Sequence, residues 1–129
     1  MKAIVNWPGS EEVERVIMFV DYIDKKIQDL KNEEMLLEKE NRKDEADFSK
    51  IKINICEICK TLYNVSKKAP NGQNAKEFYV QKLEKVSVEW NASKDKAKEH
   101  NDIEKVIIEE LKLEVLNDVK QKYMEFNEN

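Results

Sequence analysis

Apolar residues recur at alternating intervals of three and four along the first third of the chain, and this spacing limits the fold more than any other feature. Seven of the eight positions in the register are apolar: Val13, Val16, Val20, Ile23, Ile27, Leu30, Glu34 and Leu37. Such spacing places side chains along one face of an α-helix. Ser10 is suited to cap the start of that helix, and Glu11 and Glu12 favour its positive end.

The same register continues through two polar positions, Asn41 and Asp44, and then becomes apolar again. Its members in the next segment are Phe48, Ile51, Ile55, Ile58, Leu62 and Val65. The letters IKINI within this segment alternate as in a strand, but only over five residues, whereas the helical spacing covers eighteen. The pattern therefore predicts a second helix.

The second half of the chain begins after the clearest turn signal, Pro70-Asn71-Gly72. Asn74 with Glu77 then forms a capping-box pattern for a third helix. Asn101 or Asp102 can cap a fourth helix, whose apolar residues fall nearly all round its circumference. A helix of that kind is buried on most sides, or part of it meets another chain.

These segments predict a single all-α domain, because only two glycines and two prolines are available to form the turns of a many-stranded fold. We expect an antiparallel four-helix bundle with helices at about 11–37, 46–67, 75–93 and 102–126 and a turn at 68–74. The alternative is a long antiparallel helical hairpin, or coiled coil, in which both arms continue through the polar stretches 38–47 and 93–102. No internal sequence repeat is evident.

Charge is distributed unevenly along the chain. Residues 1–45 and 100–129 each carry a net charge of −4, whereas 46–73 carry +3 and 74–99 carry +1. A nucleic-acid-binding protein normally concentrates far more basic charge. There is no signal-peptide core at the start and no run of 18 apolar residues, so we expect a cytoplasmic protein with reduced thiols and no membrane partner.

Cys56 and Cys59 form a C-x-x-C pair in the predicted second helix. Structural zinc requires four ligands, and His100 is the only histidine, so the chain offers no complete metal site. Thioredoxin-like chemistry places the motif at a helix N-terminus beside a sheet, and no sheet is predicted. We interpret both cysteines as small apolar packing residues and expect no cofactor.

Two further classes of function were weighed. A magnesium-dependent nucleotide hydrolase would use a helix-borne carboxylate cluster, for which the candidates are Glu34, Glu38, Glu110, Glu114 and Asp118. A weak nucleic-acid regulator would need the lysines of the second helix to form one patch; these are Lys50, Lys52, Lys60, Lys67 and Lys68. Glutamate clusters and scattered lysines are also typical of solvated helix faces, and no set of catalytic residues is recognisable.

The preferred hypothesis is a small protein-binding module of the adaptor, inhibitor, immunity or chaperone type that self-associates. It follows from the surplus of apolar helix surface. Ile53, Cys56 and Tyr63 form a second, sparse apolar stripe on the second helix, and Leu113 and Leu116 belong to the broad apolar surface of the fourth. The sequence therefore predicts an interface at these five residues.

Overall fold

The computed structural model describes residues 10–68 and 74–127, with side chains from residue 13 onwards. Four helices account for nearly all of these residues: α1 (Ser10–Lys39), α2 (Lys43–Ser66), α3 (Ala75–Glu99) and α4 (Ile103–Phe126). No strand occurs in the described part of the chain. The helices pack as a four-helix bundle, so the predicted fold class is confirmed.

The two helices in the middle of the bundle are α2 and α4. Each packs against all three other helices, whereas the backbones of α1 and α3 do not approach each other closely in the described ranges. The central helices therefore bury side chains on more than one side. This placement accounts for the broad apolar surface of α4, which the sequence alone attributed either to deep burial or to a second chain.

Asparagine residues end α1 and α3 and decide between the bundle and the long hairpin. Asn41 and Asn101 adopt left-handed backbone conformations, with φ of 61° and 57°. The backbone N–H of the residue after each asparagine closes the helix end in the same way. Arg42 N donates to Leu37 O and Asp102 N donates to Ala97 O, both at 2.9 Å. These bonds form Schellman motifs, in which asparagine tolerates the left-handed position better than most residues.

The second hairpin repeats the first with an offset of 60 residues. α2 and α4 have identical lengths at that offset, and the capping asparagines coincide. Ion pairs also recur, since Lys60 lies 2.6 Å from Asp24 and Lys120 lies 3.2 Å from Glu84. The chain therefore folds as two equivalent helical hairpins related by an approximate two-fold axis.

This repeat is nearly invisible in the sequence. Between residues 10–68 and their partners 60 positions later, only six residues are identical, at positions 20, 25, 41, 52, 60 and 63. In one contact that both hairpins make, the two residue types are exchanged between the equivalent positions. The Ser49 hydroxyl donates to Glu33 at 3.3 Å, and the Ser93 hydroxyl donates to Glu109 at the same distance, with serine and glutamate on opposite helices in the two hairpins.

The observed helix ends differ from the predicted ones mainly at the polar stretches. α1 continues to Lys39, α2 begins at Lys43 and α3 continues to Glu99, so each break shortens to about one turn. Polar residues there remain helical because they lie on the solvent side and do not interrupt the backbone hydrogen bonds. The predicted turn at 68–74 lies mostly outside the described residues, as does Trp7.

Candidate functional site

Four aromatic rings, two from each hairpin, pack around the approximate two-fold axis. Phe19 and Tyr63 have ring centroids 4.9 Å apart, and their counterparts Tyr79 and Tyr123 are 4.8 Å apart. Contacts between the hairpins, such as Phe19 with Tyr123 at 5.0 Å, are also edge-to-face. Burial raises the pKa of all three tyrosines, to about 12 for Tyr123. Such hydroxyls are poor proton donors or nucleophiles at neutral pH.

The five residues predicted as an interface lie inside the bundle. Ile53, Cys56, Tyr63, Leu113 and Leu116 are all buried within the single chain. The sequence-based interpretation took one apolar seam as the core side of α2 and a second stripe as exposed. It was wrong about the exposure, because α2 is central and needs apolar side chains on several sides. In this fold the five side chains are therefore covered by the chain's own helices.

Both cysteines are free and fully buried. Burial raises the pKa of the Cys56 thiol to about 11 and that of the Cys59 thiol to about 12, so both stay protonated at neutral pH. The hydroxyl of Tyr79 donates to the backbone oxygen of Cys59 at 2.8 Å, which ties this part of α2 to α3. The two thiols are packed core groups, as the sequence analysis interpreted them.

The carboxylates proposed for a hydrolase are engaged in different places. Glu34 and Glu38 both pair with Lys50. Asp118 interacts electrostatically with Tyr22. The pKa of the Tyr22 hydroxyl is raised first by burial and then by the negative charge of Asp118. The described residues contain no group of three or more histidine, cysteine or acidic side chains able to hold a metal ion. The convergence required by the hydrolase hypothesis is therefore not found there.

The lysines of α2 do not form one basic patch. Lys50 is paired with three carboxylates, Lys60 is paired with Asp24, and the ammonium of Lys67 lies over the ring of Tyr63. His100 is exposed in the turn before α4. Three of the five lysines named for the nucleic-acid hypothesis thus have partners within the chain.

A hollow of about 440 Å³ opens near the turn that joins α1 to α2. Leu36 of α1, Phe48 of α2 and Leu111 of α4 all line it, and Leu36 also borders a second hollow that contains Met35. Ile107 lies one helical turn before Leu111, and Ile103 lies one turn before that. We call these residues the apolar patch: Met35, Leu36, Phe48, Ile103, Ile107 and Leu111.

Four members of the apolar patch are strongly exposed for such large apolar side chains. The exposed fractions are 64% for Met35, 58% for Leu36, 72% for Ile103 and 45% for Ile107. The patch lies at the turn end of the bundle, opposite the helix ends that adjoin residues 1–9, 69–73 and 128–129. Other large apolar side chains are exposed outside the patch; they are Val13, Ile17, Met18, Val65, Val88 and Met124.

The equivalent positions of the opposite hairpin show what the fold itself requires at these positions. The counterparts of Met35, Leu36, Ile103 and Ile107 are all charged and all exposed; they are Asp95, Lys96, Lys43 and Asp47. By contrast, the half-buried Phe48 and Leu111 have apolar counterparts, Ile108 and Ile51. Folding therefore accounts for the half-buried apolar residues but not for the four exposed ones.

The charged surroundings of the two faces differ as well. Eight carboxylates and five cations line the two hollows or lie within one turn of Ile107 and Leu111, giving a net charge of −3; they are Glu33, Glu38, Glu40, Glu45, Glu104, Glu109, Glu110, Glu114, Lys39, Arg42, Lys52, Lys105 and Lys112. Their counterparts include four carboxylates and five lysines, a net charge of +1. The apolar patch thus has an acidic rim that the equivalent face lacks.

Sequence reasoning missed the four exposed residues because their local pattern is weak. They become evident when each residue is compared with the residue 60 positions away, and this offset is revealed by the structure.

Comparisons with protein-family models, curated proteins and solved structures find no match for this chain. Within the described helices, none has the combined length and apolar character required to cross a membrane.

Proposed function

We propose that this chain is a helical protein-binding module that engages its partner through the apolar patch. The observation that carries the proposal is the difference between the equivalent faces: four exposed positions are apolar in one and charged in the other. Exposed apolar residues that occur singly are normal on protein surfaces. Met35 and Leu36 border the hollows, and Ile103 and Ile107 precede the lining residue Leu111 on α4. Exposed apolar residues at positions where the same fold accepts charges are typical of a contact surface.

The proposal replaces the interface predicted from the sequence with a different set of residues and keeps the same class of function. An acidic rim disfavours nucleic acid as the partner, because phosphates would be repelled. The two unpaired thiols favour the reducing cytoplasm as the location.

The test is site-specific photo-crosslinking in the cells that make the protein. One version carries the photoreactive residue at position 36 and the matched control carries it at the counterpart position 96. We expect a defined protein adduct from position 36 that is absent from position 96. The adduct should disappear when Ile103→Lys and Ile107→Asp are added to the version labelled at 36.

The outcome that overturns the proposal is equally specific. Equal labelling from positions 36 and 96, or no adduct from either, would show that the exposed apolar residues do not form a contact surface. Circular dichroism of each version verifies that the helices are intact, so that loss of labelling is not a result of unfolding.

A further inference from the structure

The shape of the apolar patch indicates what kind of segment it can accept. The row Ile103, Ile107 and Leu111 follows one side of α4 over eight residues, about 12 Å at the usual rise of a helix. Leu36 and Phe48 extend the surface onto α1 and α2 around the hollow. An elongated apolar surface with a depression beside it matches the ridge of an amphipathic helix, whose apolar side chains recur every three or four residues.

The charge around the apolar patch determines which kind of partner helix can bind there. The rim carries a net charge of −3, and some of its charges are already paired. The guanidinium of Arg42 bonds to both Glu40 and Glu45, and the ammonium of Lys112 pairs with the buried Glu109. The three carboxylates along α4, at positions 104, 110 and 114, are exposed. A partner that buries the patch therefore brings its own flanking charges close to carboxylates.

The same charge argues against a second copy of this chain. A patch-to-patch dimer would bring two rims of −3 together, and like charges across an interface oppose association. The equivalent face on α2 and α3 has a net charge of +1, but it is not apolar at the corresponding exposed positions. Neither pairing of copies satisfies both the apolar and the charge requirement.

We infer that the apolar patch binds a basic amphipathic helix of another protein, with leucine-like residues facing the hollow and lysine or arginine on both flanks. This inference rests on the proposed function and adds the chemistry of the partner. Basic flanks would pair with the rim carboxylates, and the apolar ridge would cover Leu36, Ile107 and Leu111. Association should be fast and salt-sensitive, since opposite charges steer the encounter.

The test uses the full chain and two synthetic helical peptides with the same leucine pattern. One peptide carries lysine on its flanks and the other carries glutamate. Binding is measured by nuclear magnetic resonance titration at two salt concentrations. We expect the lysine peptide to shift amide signals of residues 33–52 and 103–114, with an affinity that falls as salt rises. The glutamate peptide should leave these signals unchanged.

A charge-neutral variant separates specific docking from general attraction to an acidic protein. It carries Met35→Asp, Leu36→Lys, Ile103→Lys and Ile107→Asp, which copy the counterpart residues of the opposite hairpin and leave the net charge unchanged. We expect it to bind the lysine peptide at least tenfold more weakly. The matched control, Asp95→Asn with Lys96→Gln on the equivalent face, should bind like the original chain.

Several results would overturn the inference. Equal binding of the lysine peptide by the charge-neutral variant would mean that only diffuse charge attraction is involved. Tighter binding of the glutamate peptide, or dimerisation of the original chain that the variant abolishes, would assign the patch to a different occupant. In those last two cases the patch is still a contact surface, whereas failure of the crosslinking at position 36 would remove the proposed function itself.

Discussion

The two hairpins have nearly the same backbone and very different surfaces. They share the lengths of α2 and α4, capping asparagines, ring contacts and inter-helix ion pairs, although the residues are identical at only six of the compared positions. They differ at exposed positions at the turn end of the bundle, where one face is apolar with an acidic rim and the other is charged and nearly neutral. The comparison separates what the fold needs from what it merely permits.

The largest effect is expected where the two hairpins meet. Phe19→Ala and Tyr79→Ala remove equivalent rings from the aromatic cluster, and each should lower the free energy of unfolding by about 3–5 kcal/mol. Chemical denaturation measures both, with the exposed Val88→Ala as a control expected within about 0.5 kcal/mol. A large loss at one ring position and almost none at the other would contradict the shared core.

Next in size is the response to alkaline pH. The pKa values of Cys56, Cys59 and Tyr123 are raised by burial to about 11, 12 and 12. Because these groups ionise more easily in the unfolded chain, their contribution to stability is complete below pH about 9 and is lost as pH rises towards 12. Circular dichroism followed by pH titration should show this loss.

The cysteines also sharpen the comparison between the hairpins, because their counterparts are Leu116 and Val119. Cys59→Val copies the second hairpin and removes one of the titrating thiols. It should therefore make the stability less sensitive to pH between 9 and 12. A variant with the same alkaline sensitivity as the original chain would show that the buried thiol is not involved.

A smaller and symmetric effect is expected at the two turns. Asn41→Ala and Asn101→Ala place a side chain with no turn preference in the left-handed region, at a cost of about 1 kcal/mol each. Glycine at either position should restore the stability or exceed it. Thermal unfolding measures the series, and unequal losses at the two asparagines would show that the turns are not equivalent.

The smallest effect is expected at the apolar patch. Leu36→Lys and Ile107→Asp, made singly, should each change the free energy of unfolding by no more than about 0.5 kcal/mol, since the equivalent positions already carry lysine and aspartate. Urea denaturation measures the change. A loss of several kcal/mol would mean that these residues support the fold and would weaken the case for a contact surface.

Several features of the fold were predictable from local sequence. The three-and-four spacing gives the helices, and the polar stretches mark the region where α1 and α3 end. The turn chemistry of Asn41 and Asn101 was not recognised, because asparagine in a charged stretch resembles any other polar residue. The boundaries at 93 and 46 were misplaced for the same reason: a helix continues through polar residues whenever its backbone bonds are unbroken.

The candidate site was predictable only in its general class. The surplus of apolar surface suggested protein binding, but Ile53, Cys56 and Tyr63 were interpreted as a stripe that points away from the core. That assignment depends on how many neighbours a helix has, and the spacing of apolar residues does not contain this number. Met35, Leu36 and Ile107 were overlooked, because each is ordinary until it is compared with its charged counterpart.

The sequence by itself therefore determined the helices, since helix formation depends on residues three or four apart. Tertiary structure alone decided that α2 and α4 are central, that the hairpins are equivalent, and that the apolar patch lies at the turn end of the bundle. These facts arise from contacts between residues far apart in the chain. Such contacts depend on the packing of whole helices, and dissimilar side chains satisfy that packing equally well.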